Sequence, residues 1–339
     1  MTESRTVLLT GASGVVGRAI LREIPGRPLR TISMTRPQGT SLPAEAGEQL
    51  AADVAEPRFG LDEDSYRALA RDVDTVVHSA GLTEWGLPDE RYRPVNVEGT
   101  RRVIEFAEES GATVHFMSTA FVAALSASAP YRLSETNVTT NYVRSKLRSE
   151  QLLRDSGLPH TVFRPTNLIG DSRTGWTSRG QIVQLMSDWI CRGRAPFLPV
   201  HDGNRIDVVP QDLLAKAVLR CIELGDDSGE FWVTYGEEAM DMVTAVEVCA
   251  KHATSLGRPL SPPPPVTDPD TLDPEELRRL PPLARSYLSV LRDVSEVTRC
   301  GGGVLPTSMP TLRERYGIPH VLDTDAYAQT LAYASAHLS

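Results

Sequence analysis

The stretch Arg5-Thr6-Val7-Leu8-Leu9-Thr10-Gly11-Ala12-Ser13-Gly14-Val15-Val16-Gly17-Arg18 decides the fold. Its apolar part, 6–10, has strand length and runs straight into glycines, after which residues 15–24 repeat with a helical period. A strand that breaks into Gly-x2-Gly-x2-Gly and opens a helix lets the backbone approach a pyrophosphate, whose charge then rests on the helix N-terminus. Gly11, Ser13, Gly14, Val15, Val16 and Gly17 are therefore candidate cofactor contacts.

Outward from this turn, strand-length apolar runs at 29–34, 75–79, 113–118 and 161–164, with a weaker one at 49–52, alternate with helical patterns at 62–71, 89–109 and 140–155. Gly111 and Gly157 stand where helix C-caps are expected. The alternation predicts an α/β doubly wound parallel sheet, a Rossmann fold, over residues 1–168. A Gly/Ser/Thr-rich loop and a helix at 181–192 make 169–205 a substrate-site segment. Strand 205–209, helix 211–223 and strand 230–234 return the chain to the sheet over 206–235. A helix is expected at 241–255, then an extended proline-rich break at 259–269 and further helices at 274–280, 284–293 and 324–337. Residues 236–339 thus read as a smaller, mostly helical C-terminal substrate cap.

Composition narrows the function classes. The 339 residues carry 35 Lys+Arg against 44 Asp+Glu, a net charge of −9 without a basic tract, so nucleic acid is not an expected partner. No apolar run reaches the roughly 18 residues of a membrane span, and the start lacks a signal-type apolar segment. The expectation is a cytoplasmic protein with no membrane contact. Cys191, Cys221, Cys249 and Cys300 are too dispersed for a metal site or a disulfide framework and read as reduced thiols.

The second strand ends Ser33-Met34-Thr35-Arg36, without the acid that would accept from an NAD ribose. A guanidinium at Arg36, joined by Arg18 behind the glycine turn, suits a 2′-phosphate instead, which points to NADP(H). Asp53, after the weak third strand, is placed either to meet an adenine amino group or simply to form a turn.

Chemistry enters at Tyr142-Val143-Arg144-Ser145-Lys146, which sets a phenol and an ammonium one helical turn apart. With nine tyrosines and three lysines in the chain, composition alone predicts roughly 0.08 such pairs, so the pair is not a chance event. An ammonium near a phenol is expected to lower its pKa toward a range useful for proton transfer. At the end of the fifth strand, Ser118 and Thr119 both offer a hydroxyl to a substrate oxygen.

Taken together and in order, Gly11/Gly14/Gly17, His78-Ser79-Ala80-Gly81, Asn96-Val97-Glu98-Gly99-Thr100, Ser118-Thr119-Ala120 and Tyr142-x3-Lys146 resemble an extended short-chain dehydrogenase/reductase. The resemblance implies that Tyr142 is the general acid/base, that Lys146 orients the nicotinamide ribose, and that Thr119 polarises the carbonyl. It also implies that Val54, Ser79, Ala80 and Gly81, with Pro165, Thr166, Asn167 and Leu168, line the cofactor, and that Asn96 is structural. Ala52-Asp53-Val54, Ser118 to Val122, Glu150, Arg164-Pro165, 170–175 and Ile206 to Pro210 resemble, more narrowly, the thioester reductase branch that includes the terminal domains of carboxylic acid reductases. That branch implies a small-molecule carbonyl substrate, an acyl thioester or its aldehyde, presented on an acyl carrier protein or CoA. The branch's carrier domain is not expected before Thr6, and nothing beyond Tyr235 is read as matching the branch, so thioester, aldehyde and ketone all stay open.

Two other readings use the same fold. A sugar-nucleotide epimerase or dehydratase would need an extra acid and base after the catalytic Thr, where Ala120 and Phe121 stand. A non-catalytic NADP-binding sensor would need neither Tyr142 nor Lys146. The helical stretch 277–297 offers an apolar face, from Leu277 to Leu291, beside Arg278, Arg279, Arg285 and Arg292. Ordinary packing on the core is its simplest use, and a roof over an acyl chain with arginines facing a carrier is the functional one.

Overall fold

The computed structural model describes residues 4–37, 39 and 42–338. Seven parallel strands form one sheet: β1 (Arg5–Thr10), β2 (Leu29–Thr35), β3 (Glu48–Ala51), β4 (Thr75–His78), β5 (Thr113–Met117), β6 (His160–Pro165) and a last strand at Ser228–Val233. Three short strands lie between, β7 (Asn167–Ile169), β8 (Leu198–Pro199) and β9 (Val208–Pro210), so the last sheet strand is β10; β11 is Val266–Thr267. The spatial order is β3-β2-β1-β4-β5-β6-β10, so the winding reverses between β1 and β4. Ligands of open α/β sheets bind outside the carboxyl ends of the strands at such a reversal.

The helices are α1 (Val15–Glu23), α2 (Glu63–Asp72), α3 (Asp89–Tyr92), α4 (Glu98–Ser110), α5 (Thr140–Ser156), α6 (Ile182–Cys191), α7 (Gln211–Leu224), α8 (Met242–Ser255), α9 (Pro274–Arg279), α10 (Pro282–Cys300), α11 (Met309–Tyr316) and α12 (Asp323–His337). Strands buried on both faces read as near-continuous apolar runs because helices cover both sides. On one side Ile20, Leu21, Leu213, Leu214, Val218 and Ile222 pack α1 and α7 onto the sheet. On the other, Tyr66, Val103, Phe106 and Leu153 do the same for α2, α4 and α5. A further apolar cluster holds α6, α8, α10 and α12 together around Trp189, Cys249, Leu288 and Tyr327. All four cysteines are buried. No helix among the described residues is long and apolar enough to cross a membrane.

Three expectations are corrected. The helix expected over 89–109 is broken into α3, a π-helical turn at Arg93–Val97 and α4. Pro94 lacks an amide hydrogen, and the wider turn rotates Asn96 into the interior. The strand expected at 205–209 is reduced to Val208–Pro210 and pairs with β7 outside the main sheet. Helix α11 was not anticipated, although Pro310 inside its first turn and Gly317, at φ +67° behind it, are start and stop signals. Met309, Leu312 and Tyr316 of α11 join the same apolar cluster as α7.

Candidate active site

Strand β1 is hydrogen-bonded beside β4 with Thr10 opposite His78, so their carboxyl ends deliver Gly11 and Ser79-Ala80-Gly81 to one place. Gly11 has φ +69°, and a Cβ there would lie 2.6 Å from the Ala80 nitrogen; a Cβ on Gly17 would lie 2.4 Å from the Gly11 carbonyl oxygen. Only glycine permits this close-packed turn. Helix α1 begins at Gly14 with neither a side-chain cap nor an acid in its first turn, which leaves its first amides to a ligand phosphate. These features fit a nicotinamide dinucleotide. The residues that would hold it are the Gly11–Gly17 turn, Ala80 and Gly81, and Lys146, whose Nζ would be 3.3 Å from a Cβ at Gly81.

A chain of buried hydrogen bonds sets the height of this floor. The Thr100 hydroxyl donates to the Asn96 carbonyl (2.6 Å) and accepts from His78 Nε2 (3.1 Å). The other ring nitrogen, Nδ1, then accepts from the Thr10 hydroxyl (2.9 Å), which in turn accepts from the Ala80 amide (3.2 Å). Burial, and next the charge on Lys146, push His78 down to about 3, so the ring is neutral and its tautomer follows from these partners. Asn96 ties the neighbouring strand end to α5: its amide donates to Leu82 O (3.0 Å) and Ser145 Oγ (2.8 Å), and its Oδ1 accepts from Leu82 N (2.7 Å).

Helix α5 carries Tyr142 and Lys146 inward on one face, and both are buried. Lys146 Nζ donates to the Met117 carbonyl (2.8 Å) and lies 4.9 Å over the Phe116 ring. The Thr119 hydroxyl acts on the Tyr142 phenol, whose ring lies 6.2 Å from that of Tyr92. The expected lowering of the phenol is not found here. Burial raises Tyr142 well above its ordinary value, and the Thr119 hydroxyl only partly offsets this. Lys146 spends its ammonium on a carbonyl and is itself lowered to about 8, by burial against the opposing pull of Glu150. At neutral pH Tyr142 is a protonated phenol, the form that donates a proton.

The two hydroxyls at the end of β5 divide their roles. Ser118 donates to Glu150 Oε1 (2.5 Å) deep in the interior, while Thr119 Oγ1 accepts from Phe121 N (3.3 Å) and faces Tyr142. Arg164 grips the same Glu150 through Nε (2.9 Å) and Nη2 (2.7 Å), reaches Glu230 (2.7 Å) and stacks on Trp232 at 4.5 Å. Sequence reasoning gave Glu150 and Arg164 no such role; a carboxylate four residues beyond Lys146 and an arginine inside an apolar strand were the signals.

The remaining expected contacts scatter around this centre. Arg18 donates from Nε to the Ser13 carbonyl (3.3 Å), and Arg36 is exposed just beyond β2. Asp53 accepts the Ala55 amide (2.9 Å), the geometry of a turn-forming Asp. Val54 is buried against Gly99. Val15 is buried and Val16 half-buried on α1, and Ser79 Oγ donates to the Thr10 carbonyl (2.6 Å). Beyond Pro165, the last residue of β6, Thr166 donates to the Asp207 carbonyl (3.0 Å), Asn167 borders a cavity under α10, and Leu168 packs toward the α1/α7 core. Asp207 itself is raised to about 7 by burial although it accepts the amides of Tyr235 and Gly236.

The apolar face of α9 and α10 is used mainly for internal packing: Tyr287 stacks on Trp189 (5.3 Å, 9°), and Leu277, Leu280 and Ala284 join that cluster. Only Leu291 and Val294 of this face reach the cavity. Arg278 pairs with Glu275 (3.1 Å), and Arg292 pairs with Asp293 (3.1 Å).

Burying Lys146 has a measurable cost. Its folded value of about 8 lies below the ordinary 10.5, so between these pH values the unfolded chain holds a proton that the folded chain lacks. Stability from this group therefore rises with pH through that window, and below it the full cost, on the order of 3 kcal/mol, is present. Lys146→Met is expected to unfold at no lower temperature than the parent at pH 7 and to lose this pH-dependent rise, although it removes the ammonium from the site. A loss of several kcal/mol at pH 7 would show instead that the carbonyl contact outweighs burial.

The family described as "Male sterility protein" (NAD_binding_4) matches residues 44–218, just over half of the chain. Glycine betaine reductase ATRR of Emericella nidulans is 26% identical over 255 residues, which cover 65% of this chain and 20% of that protein. The chain spans between 5% and 20% of the length of this and two further curated relatives. Among solved structures, the terminal R domain from the myxalamid PKS-NRPS pathway superposes with a TM-score of 0.73 at 23% identity, covering 100% of this chain and 93% of that one. A thiolation-reductase di-domain from an archaeal non-ribosomal peptide synthetase gives a TM-score of 0.71 at 17% identity, covering 98% and 76%. With its glycine turn, its reversed sheet and its Tyr-x3-Lys helix, this chain belongs to the Male sterility protein family of NAD-binding, extended short-chain dehydrogenase/reductases.

Proposed function

We propose that this protein is an NADPH-dependent reductase of acyl thioesters carried on the phosphopantetheine of a carrier protein or on CoA. The observation that carries the reading is the meeting of Thr119, Tyr142 and Lys146 beside the Gly11–Gly17 turn, in a chain whose relatives include a reductase and whose structural neighbours include terminal R domains. A neighbour described as a thiolation-reductase di-domain supports a carrier-bound substrate.

Bound NADPH would supply the hydride; the chain supplies everything else. Thr119 and Tyr142 hydrogen-bond the carbonyl oxygen as its negative charge develops. Tyr142, kept protonated by burial, delivers its proton to that oxygen. Lys146 would hold the ribose hydroxyls of the bound cofactor and, as an ammonium, would stabilise the phenolate left behind. Glu150, which takes the Ser118 hydroxyl and the Arg164 guanidinium, ties α5 to the end of β5 and to β6. Collapse of the hemithioacetal, its hydroxyl proton passing to the leaving sulfur, would give the aldehyde and the free thiol; reducing that aldehyde further would take a second NADPH in place of the spent NADP+.

Cofactor choice rests on Arg36, which stands where an acid would take the NAD ribose. The parent is expected to bind NADPH roughly 10–100-fold more tightly than NADH, the worth of charge-assisted bonds to the 2′-phosphate. Arg36→Asp should erase or reverse that ratio in a fluorescence titration, and equal parental affinities would sink the assignment. The reaction itself is tested by following nicotinamide absorbance with CoA- and carrier-bound acyl groups, free aldehydes and ketones. Turnover of ketones with none of any thioester or aldehyde would overturn the thioester reading.

A further inference from the structure

Glu150 lies one helical turn beyond Lys146 on α5, and both side chains are buried. They grip consecutive residues of one strand end: Lys146 Nζ donates to the Met117 carbonyl (2.8 Å), and Ser118 Oγ donates to Glu150 Oε1 (2.5 Å). Every polar partner of Glu150 is a donor: Ser118, Arg164 through Nε and Nη2, and Arg154 at 3.3 Å. A group that only accepts, and accepts from two guanidinium ions, is a carboxylate.

The other charges of this group are wetter. Glu230, which also pairs with Arg164, and Arg154 have side chains 42% and 36% exposed, so water screens both. In the dry interior one carboxylate, Glu150, thus stands against two cations, Arg164 and Lys146. A guanidinium keeps its proton under all ordinary conditions, so any loss of the carboxylate is answered at Lys146. The titratable groups around Lys146 from other elements are His78 of β4, Arg164 of β6 and Tyr92 of α3, with Tyr142 on α5 itself. Burial keeps the imidazole neutral and both phenols protonated, so none of these three supplies a negative charge. Glu150 is the group that pulls Lys146 upward against burial.

We propose that Glu150 is a positioning residue that holds Lys146 in its ammonium form and thereby sets the alkaline limit of the reduction. The inference rests on the reductase reading above, in which that ammonium would hold the ribose and stabilise the phenolate. An opposite charge at this spacing moves a titration by about one to three pH units. Burial already brings Lys146 down to about 8, so without Glu150 it would be a neutral amine at neutral pH.

Two readings of the full chain test this, one with turnover and one without. In the first, kcat/KM for an acyl-CoA thioester with NADPH is followed against pH. Glu150→Gln should move the alkaline limb down by about one pH unit or more, so that its activity is near parental at mildly acid pH and roughly tenfold lower a unit above the parental limb. Glu230→Gln, which takes the other carboxylate from Arg164, should leave the limb in place. In the second, unfolding is followed without cofactor from about pH 6 to about pH 10. Lys146 is lower in the folded chain than its ordinary 10.5, so its contribution to stability rises with pH above its folded value. That rise should begin about one pH unit or more lower in Glu150→Gln, and the difference should vanish when both chains also carry Lys146→Met. Should Glu150→Gln not fold, Glu150→Leu with Arg164→Met, which removes the carboxylate without stranding a guanidinium, is expected to move the limb and the rise in the same direction. An unmoved limb with an unmoved rise marks Glu150 as structural only and overturns the proposal, as does an equal movement in Glu230→Gln or a rise that moves while the limb stays. If no carbonyl is turned over, the reductase reading fails by itself, and the unfolding series still decides whether Glu150 holds the proton on Lys146.

Discussion

Tyr142→Phe is expected to lower kcat by about 10²–10⁴-fold, the usual worth of a positioned general acid, with NADPH affinity changed little. The substitution removes one oxygen from a buried ring that packs against Tyr92, so the fold should survive. Because burial holds the phenol above its ordinary value, the parent's proton donor stays loaded through neutral and mildly alkaline pH. A fall in activity at alkaline pH should follow Lys146 instead, which loses its ammonium on the way up through about 8 in the absence of cofactor. Thr119→Val should be milder, with at most about 3–4 kcal/mol of transition-state stabilisation lost. Near-parental turnover by Tyr142→Phe in a nicotinamide-absorbance assay would remove the proton donor from the scheme.

Glu150→Ala is expected to produce the largest loss of stability. Glu150 is fully buried and takes hydrogen bonds from Ser118 and twice from Arg164, whose own side chain is nearly as buried. Removing one partner of such a pair strands the other charge in a medium that cannot solvate it, at a cost of about 3–5 kcal/mol. For a chain of this length that corresponds to a fall of roughly 4–7 °C in the unfolding temperature. Glu230, half-exposed at 2.7 Å from Arg164, retains part of the attraction and places the expected loss toward the lower end. Replacing both charges, as in Glu150→Leu with Arg164→Met, should recover much of the loss, because the buried pair gains little over apolar packing. Thermal unfolding of the two variants beside the parent measures this directly, and a Glu150→Ala loss below about 1 kcal/mol would show that water reaches Arg164.

The parts legible in the sequence are those that local rules specify. Residues 6–17 announce strand, glycine turn and helix together, because only glycine can stand where a Cβ would come within 2.4–2.6 Å of the backbone. Tyr142 and Lys146 are legible as a pair because a helix brings residues four apart to one face. Helix boundaries at Gly111 and Gly157 are likewise local, set by the left-handed conformation that both adopt.

What the tertiary structure alone decided is everything that depends on distant segments sharing a low-dielectric interior. Tyr142 and Lys146 were expected to tune one another, but burial by Tyr92, Phe116 and Met117, contributed from other elements, sets both pKa directions. Ser118 and Thr119 are equivalent as adjacent hydroxyls in the sequence; Glu150, 32 residues on from Ser118, separates them by claiming Ser118. Period and propensity are carried by neighbours along the chain, whereas desolvation and hydrogen-bond satisfaction are properties of the packed interior and exist only once it has formed.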